Sequence, residues 1–140
     1  MVKRLLKIGG IILGVILLLF LFGFGRSFLG VHQIDRIELH TYSHAGLSGN
    51  KKAVLSTEEV HAVAALYNLS RHAGDITAEP CCDAYWLEIY LKDGTKIRIS
   101  EGVRTKLIID PVSSDRYYLD NFILVDYIKK LISDHDLVWD

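Results

Sequence analysis

The sequence predicts an α+β fold: an N-terminal transmembrane helix, then a small domain with two helices packed on one face of an antiparallel sheet. The expected element order of that domain is β-α-β-β-β-β-α. Three observations carry the expectation. Ile8 to Gly25 holds no charged or strongly polar side chain, and about 18 such residues is the length that spans a bilayer core. One later segment repeats its apolar residues at helical spacing, and several others alternate apolar and polar residues as half-buried strands do.

The apolar run would form a helix about 27 Å long. In lipid every backbone N–H and C=O must be paired internally, which imposes a helix on the run despite its glycines. Lys3, Arg4 and Lys7 precede it, and only Arg26 and Arg36 follow within the next stretch. By the positive-inside rule, residues 1–7 are a basic cytoplasmic tail and the domain lies outside the cell membrane. The expected layout is therefore a signal anchor over 8–25, a short linker over 26–33 and an extracytoplasmic domain over 34–140. A cleaved signal peptide is the rival reading, with Gly23-Phe24-Gly25 as small residues at a peptidase site. Its apolar stretch exceeds the roughly 7–15 residues of such peptides. No Cys follows the run, which excludes lipoprotein processing. Gly10 and Gly14 form a G-x-x-x-G through which two such helices can approach, giving a candidate homodimer contact.

In the domain, Ile37, Leu39 and Thr41 alternate with Glu38 and His40, predicting a strand over 34–42. Ser43–Lys52, with two glycines and Asn50, reads as a mobile loop. Ser56-Thr-Glu-Glu59 is a capping box. Val60, Val63, Ala64 and Tyr67 then form one helical stripe, which Gly74 is expected to end. Tyr85, Leu87, Ile89 and Leu91 alternate with Trp86, Glu88, Tyr90 and Lys92. Asp93-Gly94 predicts a two-residue type I′ turn leading to Ile97 and Ile99 on the return strand. Strands are expected over 104–109 and 116–119, joined by a turn around Pro111. Asp120 or Asn121 caps a last helix with Phe122, Val125, Ile128, Leu131 and Ile132 on its buried face. Leu137-Val138-Trp139 is apolar for a tail and is expected to pack back on the domain.

Charge excludes one class of partner. All 17 acids and 12 of the 16 Lys and Arg fall within residues 27–140, so the domain carries −5 against +4 on the anchor segment. Nucleic-acid binders present clustered positive charge, so no nucleic acid is expected. The catalytic signatures G-x-S-x-G, Walker loop, H-E-x-x-H and Rossmann fingerprint are all missing. Glu58 and Glu59 are accounted for by a helix N-terminus, where negative charge is favoured. The chain is expected not to be an enzyme, and no cofactor is implied.

Two groups of residues remain as candidates. Trp86 and Tyr90 point to the face of the hairpin that should be wet and polar. Either Lys92, Arg98 and neighbouring side chains cover these rings, or the pair is an aromatic platform for a peptide, glycan or another envelope protein. The second group is Cys81-Cys82. Adjacent Cα atoms sit about 3.8 Å apart, below the roughly 4.4–6.8 Å of ordinary disulfides, so a bond between them would be strained and easily reduced. Free Cys also behaves as a small buried hydrophobe. A metal reading adds His40 and His44 to the thiols, although the ligand spacing fits no known zinc pattern. His61 and His72 share a helix face but stand too far apart along it. The leading expectation is thus a single-pass, membrane-anchored extracytoplasmic binding domain. The alternative is an envelope thiol-redox or metal-binding protein using Cys81 and Cys82.

Overall fold

The structure is a computed structural model that describes residues 1–22, 28–42, 50–76, 84–102, 106–111 and 116–138. Helix α1 spans Val2–Phe22. Among the described residues no helix is long and apolar enough to cross a membrane. The side chains of 19–22 and all of 23–25 lie outside the described residues.

The domain is α+β, as expected. Its strands are β1 (Ile34–Tyr42), β2 (Asn50–Val54), β3 (Arg71–Asp75), β4 (Tyr85–Leu91), β5 (Lys96–Glu101), β6 (Lys106–Pro111) and β7 (Tyr117–Asp120). Its helices are α2 (Thr57–Leu69) and α3 (Phe122–Asp134). All seven strands join one sheet in the order β2-β1-β4-β5-β6-β7-β3, and every pairing is antiparallel. The observed sequence of elements is therefore β-β-α-β-β-β-β-β-α. The expected order lacks β2 and β3, the two edges of the sheet.

Register places alternate residues in rows across the strands. Leu39, Leu87, Ile99 and Ile109 form one row, and Ile37, Ile89 and Ile97 another. These side chains face Val63, Ala64 and Tyr67 of α2 and Leu124, Val125, Ile128 and Leu131 of α3 in a single core. Each fully buried Leu or Ile contributes about 1.5–3 kcal/mol. Both helices thus cover the same face, and on β1 from Arg36 onward, on β4 and on β5 the opposite face carries the residues of even number.

Helix α2 begins as the capping box requires. The Ser56 hydroxyl accepts from the Glu59 N–H at 3.3 Å, and the Glu59 carboxylate accepts from the Ser56 N–H at 2.8 Å. It ends at Leu69 with Ser70 as its C-cap, not at Gly74. Gly74 has φ +113° and sits where the β3–β7 register shifts, so it permits an edge bulge. His72 is accordingly on β3 and shares no helix with His61. Residues 50–52, expected in a loop, form the start of β2.

The β4–β5 hairpin forms as expected, but its turn differs. Gly94 lies at φ +88°, whereas Asp136 is the sole non-glycine at positive φ among the described residues. Asp93 therefore cannot occupy a type I′ position. Instead the Gly94 N–H donates to the Leu91 carbonyl at 3.0 Å and the Leu91 N–H to the Thr95 carbonyl at 2.9 Å. This is the longer turn with glycine in a left-handed bulge. The Asp93 carboxylate fixes it by accepting from the Thr95 N–H and hydroxyl.

Asn121 caps α3, accepting from the Leu124 N–H at 3.0 Å. Phe122 is 61% exposed, so it is not on the buried face, and Leu124 takes that place. Leu137 packs into the core while Val138 is exposed. The Thr41 hydroxyl donates to the Leu137 carbonyl at 2.8 Å and pins the tail to β1.

Candidate functional site

The outer sheet face holds Arg36, Glu38 and His40 on β1, Trp86, Glu88 and Tyr90 on β4, and Lys96 and Arg98 on β5. Antiparallel register sets His40 opposite Trp86, Glu38 opposite Glu88, and Arg36 opposite Tyr90. It then sets Glu88 opposite Arg98 and Tyr90 opposite Lys96. Among the described residues no helix packs on this face, yet Glu38 is buried there, at 8% exposure. Tall neighbours shield it.

Trp86 and Tyr90 are both half-buried. The His40 imidazole stacks on the Trp86 indole with centroids 5.1 Å apart and planes 3° from parallel. The Arg98 guanidinium lies over the same indole at 4.6 Å. Since β1 and β5 flank β4, the two groups reach Trp86 from opposite sides. Arg36 lies over the Tyr90 ring at 3.8 Å, and Lys96 approaches it at 5.9 Å. Trp86 and Tyr90 are therefore parts of a cation–π array, a contact worth about 0.5–1 kcal/mol each at exposed sites.

No family model, curated protein or solved structure matches this chain. Its chemistry must be read from its own side chains.

Between the two rings sits a polar cluster. His40 Nε2 lies 3.3 Å from one oxygen (Oε2) of Glu38 and 3.9 Å from Oε2 of Glu88. The other oxygen of each carboxylate is occupied by a cation. Arg36 Nε donates to Glu38 Oε1 at 2.9 Å, and Lys96 Nζ to Glu88 Oε1 at 3.3 Å. The Tyr90 hydroxyl donates to Glu88 Oε2 at 2.6 Å. The Arg36 guanidinium holds the Glu38 carboxyl below its ordinary range against the opposing effect of burial. For Glu88, burial pushes upward, but the Tyr90 and Lys96 bonds outweigh it and the net shift is downward. Both groups are carboxylates at neutral pH.

Sequence reasoning singled out His40, Trp86 and Tyr90, and the structure brings all three together. It missed Glu38 and Glu88, because each reads as an ordinary outward polar residue on its own strand. Only the register that sets them opposite each other reveals the pair. Cys81, Cys82 and His44 lie outside the described residues. His135, on the C-terminal side of α3, is engaged at 2.9 Å by Glu59. Asn68 heads a glycosylation sequon, but its amide both accepts from the Leu29 N–H and donates to the Leu29 carbonyl, each at 2.8 Å.

Proposed function

We propose that this chain is a single-pass, membrane-anchored extracytoplasmic domain, non-enzymatic, that binds another envelope component through the outer sheet face around Trp86 and Tyr90. The observation that carries the anchor is the way chain and domain meet. Leu29 is 4% exposed in the core and is clamped to Asn68 by the two bonds above. The apolar run ends at Gly25, so only three residues, which can span at most about 3.3–3.6 Å each, separate it from the docked Leu29. The domain is thereby held close to the end of that run.

Exposed apolar residues gather at the same end. Phe28 and Leu69 flank the Leu29–Asn68 clamp, and Asn121 joins it by donating to the Leu66 carbonyl and the Ser70 hydroxyl, both at 2.8 Å. Phe28, Leu69, Phe122 and Ile123 are 71%, 76%, 61% and 53% exposed. A bilayer surface would cover such a rim. Along α1, Leu6, Ile8, Ile11, Ile12, Leu13, Val15, Ile16, Leu17 and Leu18 are also exposed. A helix apolar all round needs an apolar surrounding. Gly10 and Gly14 meet open space on that helix, consistent with close approach of a second copy.

The binding role is supported by a sheet face on which no helix packs among the described residues and which carries half-buried aromatics and arginines, residue types enriched at interfaces. Photo-crosslinking tests it. A crosslinking residue in place of Lys106, at the rim of the outer face, should capture a discrete envelope partner in cells. The same residue in place of Lys129, on α3, should not, and Trp86→Ala should abolish the capture from position 106. Equal capture from both positions, or capture indifferent to Trp86→Ala, contradicts the reading.

A further inference from the structure

The geometry points to a divalent metal site formed by Glu38, His40 and Glu88 on the outer sheet face, suited to zinc. It stands independently of the anchor and of the partner.

The starting observation is an unmet demand. His40 Nε2 is buried and has no hydrogen-bond partner, although two carboxylate oxygens stand 3.3 and 3.9 Å away. If that nitrogen is neutral with its lone pair outward, it faces two anions and is repelled. A buried polar atom in that position costs about 1–3 kcal/mol. The glutamates add to the demand, since Glu38 and Glu88 stand directly opposite each other on neighbouring strands. Like charges so placed destabilise a sheet. A cation among the three atoms answers both problems together.

The donor set fits a zinc-class ion. One imidazole nitrogen and two carboxylate oxygens bind zinc at about 2.0–2.2 Å, and three protein ligands leave a fourth position for water or substrate. In a tetrahedron with such bonds, neighbouring ligand atoms stand about 3.3–3.5 Å apart. The His40–Glu38 separation already has that value, and all three ligand atoms lie within 4.8 Å of one another. A contraction of about half an ångström brings the His40–Glu88 edge, now 3.9 Å, to the same length.

The surroundings resemble an outer shell. Arg36 and Lys96 hold the far oxygens of the two carboxylates, so that Oε2 of each faces His40. The Tyr90 hydroxyl donates to Oε2 of Glu88 at 2.6 Å as an outer partner of that ligand atom. Trp86 fixes the imidazole plane by stacking. Outer partners of this kind orient ligands, and their loss typically costs 10–100-fold in affinity. The side chains of Glu38, His40 and Glu88 are 11%, 12% and 14% exposed, so the ion would be largely shielded while keeping one way in. A proton on His40 is the competing occupant, and a site satisfied by it would take up no metal.

The test uses the full-length chain in detergent micelles, chelator-stripped, with Cys81→Ser and Cys82→Ser to remove thiol ligands and Trp139→Phe to leave Trp86 as the sole indole. Zn(II) is titrated by calorimetry and Trp86 emission, and Co(II) by its visible absorption. The expected result is one equivalent bound per chain, a change in Trp86 emission, and a cobalt spectrum free of thiolate charge transfer. His40→Gln and Glu88→Gln should each weaken binding by about tenfold or more, and Tyr90→Phe by about tenfold. Absence of stoichiometric binding in the cysteine-free chain overturns the site, whatever the variants do. So does binding that His40→Gln, folded by circular dichroism, leaves unchanged.

Discussion

His40 and Trp86 lie ring on ring, 5.1 Å between centroids and 3° from parallel, across the antiparallel pair of β1 and β4. The stack joins the hydrophobic logic of the outer face to its polar one, because the imidazole that covers the indole also points its Nε2 at Glu38 and Glu88. Arg98 presses on the other side of the indole. Trp86→Ala removes an aromatic pair and a cation–π contact, each worth about 0.5–1.5 kcal/mol, together with buried area. The domain should lose about 2 kcal/mol in urea unfolding. Trp86→Phe, which keeps a ring under His40, should recover part of the loss.

Acid should weaken the fold through three glutamates. Glu38 is lowered mainly by the Arg36 hydrogen bond. In Glu59 burial pushes up, but the Ser56 N–H and His135 prevail and the net shift is down. Glu88 behaves likewise through Tyr90 and Lys96. Between the folded and unfolded values the unfolded chain binds more protons, so stability rises with pH there. The contribution is complete above the ordinary carboxylate value of 4.5 and is lost as pH falls through the lowered folded values. Glu59→Gln keeps an acceptor for the cap but cannot titrate. Its unfolding midpoint should fall less steeply than that of the parent chain below that pH, and an identical slope would contradict the assignment.

Core substitutions should separate from turn substitutions. Ile128 and Leu87 are fully buried, and truncating either to Ala should cost about 2–5 kcal/mol. Gly94 meets open space but lies at φ +88°, so Gly94→Ala carries only a backbone penalty, about 1–2 kcal/mol. Equilibrium unfolding with an unchanged denaturant slope would show both as losses of stability alone.

The apolar rim should report on the bilayer without bearing on the fold. An environment-sensitive fluorophore at Phe122→Cys, with Cys81→Ser and Cys82→Ser, should shift to the blue when the full chain enters lipid vesicles. The same label at Lys129→Cys should not. Because Phe122 and Phe28 are exposed, Phe122→Ser should change stability by no more than about 0.5 kcal/mol.

What the sequence made legible, and what it hid, follows from position in the sheet. The capping box of α2 and the alternation of β1, β4 and β5 act locally, so their signals survive in isolation. The two strands that escaped are both edges. Edge strands carry lysines and glycines that blunt further pairing, and Asn50-Lys51-Lys52 and Arg71-His72-Ala73-Gly74 read as loop for that reason. The same physics explains the site. His40 and Trp86 stand out as outward residues on one strand each, whereas Glu38 and Glu88 become a pair only through register.

The cysteines have a separate readout. Intact mass of the non-reduced, denatured chain after alkylation distinguishes two free thiols from a Cys81–Cys82 bond. Two alkylations show free thiols, which excludes a Cys81–Cys82 bond and with it the redox couple. A monomer alkylated only after reduction would establish the bond and favour the thiol-redox alternative.

Membrane attachment is tested most directly by alkaline extraction of membranes from cells making the native chain, combined with protease treatment of intact cells. The account predicts a full-length chain that stays in the membrane pellet and whose domain is cut from outside. A shortened chain released to the soluble fraction would contradict it, as would a domain reached by protease only after the cells are opened.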